Sequence, residues 1–141
     1  MKIKTAIIVD FMGSGELTDR DEIAEHKRNY TKFLKPHKAE FYRAYSPYPG
    51  EHGIRDGTDL VIYDFGGMLP GCSDLLESNA RELVRWAAEH PSCLVVVASK
   101  FTYQSQIEVE MRERDLVLPN IVLDMCSGGN PVPSWFLEKS K

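Results

Sequence analysis

The chain has 141 residues, the size of one domain, and its 43% hydrophobic and 27% charged content is globular and excludes wholesale disorder. Seventeen Lys and Arg against 21 Asp and Glu leave a net charge of −4, which argues against a nucleic-acid-binding surface built on bulk charge. The longest apolar runs, such as Leu94 to Ala98, fall far short of the ~20 residues a membrane helix needs. Met1-Lys2-Ile3-Lys4 runs straight into strand-like residues, so the expectation is a soluble, cytoplasmic protein that spans 1–141 as a single domain.

Three cysteines (Cys72, Cys93, Cys126) and four histidines (His26, His37, His52, His90) are scattered, without zinc-knuckle or His-x-x-x-His spacing. They read as reduced thiols, partly in the core, and as isolated imidazoles. A zinc site is not expected.

In chain order, Lys4 to Asp10 is a continuous apolar run ending in an acid, the pattern of a strand buried on both faces. Met12-Gly13-Ser14-Gly15-Glu16 breaks it. Thr18 or Asp19 can cap a helix with Asp21 and Glu22 in its first turn, Lys32 and Lys35 in its last, and an apolar stripe of Ile23, Tyr30, Phe33 and Leu34 before Pro36. Ala39 to Tyr45 reads as an aromatic-rich strand near the sheet edge. The segment 46–53, rich in Pro and Gly, has no periodicity, so a short helix or an irregular crossover must fill the gap before the next strand.

Asp59 to Asp64 is the third strand, with Phe65 to Gly71 as its exit. Ser73 or Asp74 caps a second helix that carries Leu76, Ala80, Leu83, Val84 and Ala87 at helical spacing. Cys93 to Ser99 is the fourth strand, Thr102 to about Arg114 the third helix, and Asn120 to Asp124 the fifth strand. The tail from Pro131 to Phe136 can start a short last helix that docks back on the domain or across a dimer.

Strands alternating with helices predict a three-layer α/β/α sandwich with a five-stranded, mainly parallel sheet. The expected order is 2-1-3-4-5, the flavodoxin-like arrangement, with a core over 4–124 and a tail over 125–141. Ile7, Val9, Val61, Val96, Val97 and Val122 are expected to be almost fully buried.

In such a sheet the ligand crevice lies beyond the carboxyl ends of the strands, at the topological switch. Asp10, Asp64 and Asp124 stand at three strand exits, and crowded carboxylates either raise one another's pKa or collect a divalent cation such as Mg²⁺. Asp10 and Asp64 are the candidate catalytic pair, and Asp10, Asp64 and Asp124 the candidate metal ligands. Each Asp also fits the simpler role of a turn or helix cap. Gly13, Ser14, Gly15, Gly66 and Gly67 lie between strands and helix starts, where backbone amides can hold an anion, and Ser99 and Lys100 extend that set from the fourth strand. Neither glycine group matches a P-loop or a dinucleotide fingerprint, and plain turns also account for them. The aromatics Phe41, Tyr42, Tyr45, Tyr48, Trp135 and Phe136 suit core and edge packing, or stacking against a base or a partner.

Ile7-Ile8-Val9-Asp10, then Asp59 to Asp64 with Met68-Leu69-Pro70-Gly71, then Val95 to Ser99, resembles a response-regulator receiver domain over roughly residues 4–124. The resemblance implies magnesium held with the help of Asp10, phosphoryl transfer to Asp64 and a phosphoryl contact from Ser99. The chain departs from that pattern in three places. Phe11 stands where a second acid is usual, Pro70 lies six residues beyond Asp64, and Asp124 occupies the region of the strand-five lysine.

Two functions follow as expectations. One is a binding or regulatory module with a crevice for a small anionic ligand or a protein partner, not competent as a phosphoacceptor. The other is a Mg²⁺-dependent enzyme acting on a phosphorylated or nucleotide-like small molecule, with Asp10 and Asp64 as its working acids.

Overall fold

The computed structural model describes residues 2–9, 19–34, 37–45, 47, 52–64, 73–98, 101–124 and 130–139. The strands are β1 (Lys2–Val9), β2 (Lys38–Ala44), β3 (Leu60–Asp64), β4 (Leu94–Val97) and β5 (Ile121–Leu123). The helices are α1 (Asp19–Phe33), α2 (Ser73–Glu89), α3 (Phe101–Glu113) and α4 (Ser134–Lys139). All strand pairs are parallel and the order is β2-β1-β3-β4-β5. This is the flavodoxin-like α/β arrangement.

Strand side chains alternate between faces, so each buried strand feeds two layers. Ile3, Ile7 and Val9 of β1, Leu60 and Ile62 of β3, and Leu94 and Val96 of β4 pack with Tyr30 and Leu34 of the α1 segment and Phe136 of α4. Ala6, Ile8, Val61, Tyr63, Val95 and Val97 pack with Ala80, Leu83, Val84 and Ala87 of α2 and Ile107 of α3. Ile7, Val9, Val61, Val96 and Val97 are buried as the strand pattern requires. Val122 is only half-buried, because β5 is a three-residue strand at the end of the strand order, with no further strand beside it among the described residues.

The described part of the β2-to-β3 connection contains no helix. Ile54 does the work of one by entering the α2/α3 layer. The connection is fastened to the sheet by a hydroxyl chain: Thr58 Oγ1 donates to Arg55 O at 2.6 Å, so Tyr42 Oη donates to Thr58 Oγ1 at 2.6 Å and accepts from Arg55 N at 2.9 Å. Asp59 Oδ2 then accepts from Lys4 N at 3.0 Å, which locks the entry of β3 against β1.

At the far end of α2, Asn120 Nδ2 lies 2.9 Å from Ala87 O, 3.2 Å from His90 O and 3.0 Å from Cys93 O. One buried amide thus serves the closing carbonyls of a helix and the turn into β4. Among the described residues no helix is long and apolar enough to cross a membrane. Cys93 is buried, with its Sγ 3.7 Å from Leu94 O; Cys72 and Cys126 lie outside the described residues.

Candidate functional site

The exits of β1 and β3 lie side by side, with Val9 in register with Asp64. The strand order turns here: β2 departs to one side of β1, while β3, β4 and β5 continue on the other. This is the topological switch of the sheet, where open α/β folds form their ligand crevice.

Asp64 shares its face of β3 with Leu60 and Ile62, so its carboxylate points into the α1 layer. It is only 8% exposed, and a buried carboxylate requires a partner. His26 of α1 supplies one: its Nε2–H donates to Asp64 Oδ2 at 2.9 Å, and the imidazole is itself buried. His26 Nδ1 makes no hydrogen bond to any described residue. One helical turn on, Tyr30 Oη donates to Asp124 Oδ2 at 2.6 Å, and the two α1 rings lie 6.2 Å apart. Two polar side chains at i and i+4 therefore join α1 to the exits of β3 and β5 through an otherwise apolar layer.

On the other flank of β1, Arg43 of β2 reaches across the strand end, and its Nη2 donates to Val9 O at 3.2 Å. The β1 exit thus has a guanidinium on one side and an imidazole–carboxylate pair on the other. The Arg43 guanidinium is the fixed cation at this exit and the donor that a small anion would meet there.

Of the residues singled out from the sequence, Asp64 and Asp124 are described. Asp64 ends β3 and Asp124 directly follows β5, two strands separated by β4, and each is bound by α1. Asp10, Gly13, Ser14, Gly15, Gly66, Gly67, Ser99 and Lys100 lie outside the described residues. Among the described residues no group of three or more His, Cys, Asp or Glu side chains is placed to hold a metal ion.

Sequence reasoning passed over His26 and Arg43. His26 carried a signal, since it sits three residues after Ile23 and four before Tyr30, on the apolar stripe of α1. Arg43 read as an interruption of β2 and gave no hint of its reach to Val9. Comparison with protein families, characterised proteins and solved structures yields no match to this chain.

Proposed function

We propose that the protein is a receiver-like binding or regulatory module. Its crevice at the β1/β3 switch takes a small anionic ligand, and Asp64 does not serve as a phosphoacceptor. The observation that carries this reading is the His26–Asp64 bond. A nucleophilic carboxylate needs a free oxygen facing solvent and a cation to offset the arriving phosphoryl charge, about −2 at neutral pH. Asp64 instead faces the core layer and spends one oxygen on a helix imidazole, while the described acid nearest the sheet's other exits, Asp124, adds negative charge on the same rim.

The same engagement weighs against a magnesium centre built on Asp64 and Asp124, because each already gives one carboxylate oxygen to an α1 side chain and the two stand at the exits of strands separated by β4. The Arg43 guanidinium leaves the β1 exit suited to an anion.

Acetyl phosphate with Mg²⁺, followed by intact-mass measurement, tests the reading. The expected spectrum shows the unmodified chain alone. An adduct of one phosphoryl group that disappears in Asp64→Asn would make the protein a working receiver and overturn the proposal.

A further inference from the structure

Tyr45, just past the end of β2, keeps 58% of its surface open. The ring is nevertheless held in place. The Arg43 guanidinium carbon lies 4.5 Å from its centroid, and the His52 ring meets it at 5.6 Å with the planes 78° apart. The Tyr45 backbone N–H donates to His52 O at 2.8 Å, which ties the two aromatic residues together at the main chain.

Arg43 is anchored in turn by its bond to Val9 O at the β1 exit. Arg43 lies on β2, and the Tyr45 ring meets it just past the strand end. Ala39 and Phe41, of the same parity, pack in the α1 layer. Arg43 therefore lies on the α1 side of the sheet and links the Tyr45 ring to the β1 exit.

Holding an exposed ring still costs rotamer entropy and gains little burial, whereas a ring held still in advance binds a flat partner with less loss on association. The guanidinium over one face holds the ring by a cation–π contact and adds attraction for negative charge. We propose that Tyr45, with Arg43 and His52, is a stacking platform for a mononucleotide, a planar aromatic ring joined to an anionic group. The base lies on Tyr45 and the phosphate points along Arg43 to the β1 exit. This inference rests on the anion crevice proposed above and names its ligand class. The chain's net charge of −4 favours a single nucleotide over a nucleic-acid strand, whose many phosphates call for an extended basic track.

Isothermal titration of the full chain with the four common ribonucleoside monophosphates, with inorganic phosphate as the reference, tests the proposal. At least one nucleotide is expected to bind roughly tenfold or more tightly than phosphate, the scale of stacking on one aromatic side chain. Tyr45→Leu should bring that nucleotide to the affinity of phosphate and leave phosphate binding unchanged, while Tyr45→Trp should retain the preference. Position 45 is exposed, so both variants should fold, with circular dichroism as the check.

If phosphate binds but no nucleotide binds more tightly, or if Tyr45→Leu binds nucleotide as the native chain does, the platform is wrong and the anion crevice stands. If neither ligand binds, both proposals fall. If a single-stranded oligonucleotide binds far more tightly than any monophosphate, the commitment to a mononucleotide is wrong.

Discussion

Replacing His26 with leucine is expected to lower the unfolding free energy by about 3 kcal/mol, measured by urea denaturation at neutral pH. Asp64 is 8% exposed and would stay in the apolar layer without its imidazole partner. Removing one member of a buried pair costs more than the pair itself contributes, because the remaining charge stays desolvated. The double variant His26→Leu/Asp64→Leu should therefore regain most of the loss, since its new neighbours are the Ile7, Val9 and Ile62 layer. His26→Gln keeps an N–H donor near Asp64 and should lose less than half as much as leucine. A His26→Leu change below about 0.5 kcal/mol would mean that the bond is no stronger than a surface ion pair, contrary to its buried setting.

Asn120→Leu is expected to destabilise the fold by about 2–3 kcal/mol, which lowers the melting temperature by roughly 10 °C in a domain of this size. Asn120 is 2% exposed, and its side-chain amide donates toward Ala87 O, His90 O and Cys93 O, while its backbone carbonyl, which leucine keeps, accepts from Val95 N at 2.7 Å. Leucine has similar bulk but no donor, so the loss is polar and not a cavity effect. The α2 end is otherwise well seated: the Trp86 and His90 rings stack at 3.6 Å, and His90 Nδ1 donates to Trp86 O at 2.9 Å. The loss should therefore be global destabilisation with the secondary structure intact below the transition. An unchanged melting temperature would show that the carbonyls find other donors.

The strands were legible because a parallel strand covered on both faces needs an unbroken apolar run, and the segments of β1, β3 and β4 each have one. The order followed from right-handed crossovers and from the polar interruptions Glu40 and Arg43, which mark β2 as an edge. The β2-to-β3 connection was less legible, because what fastens it is a hydroxyl chain through Tyr42 and Thr58 with one inserted side chain, Ile54, and none of these imposes a period on the sequence.

The site was half legible. Asp64 and Asp124 announced themselves as acids at strand ends, but their partners in α1 are 38 and 94 residues away along the chain, and no local pattern encodes such a pairing. Asn120 is a similar case. It reads as the first residue of a strand, and its structural role lies in closing a helix that ends some 30 residues earlier.

The proposed anion crevice at the β1/β3 exit is edged by the Asp64-bound imidazole of His26. The most direct measurement is a long-range ¹H–¹⁵N correlation spectrum of the histidine rings during titration with inorganic phosphate. The expected result is a saturable shift of the His26 ring nitrogens that is absent in His26→Gln and weakened in Arg43→Gln. A His26 signal that stays fixed while phosphate saturates elsewhere on the chain, or that shifts no more than the exposed ring of His52, would contradict it.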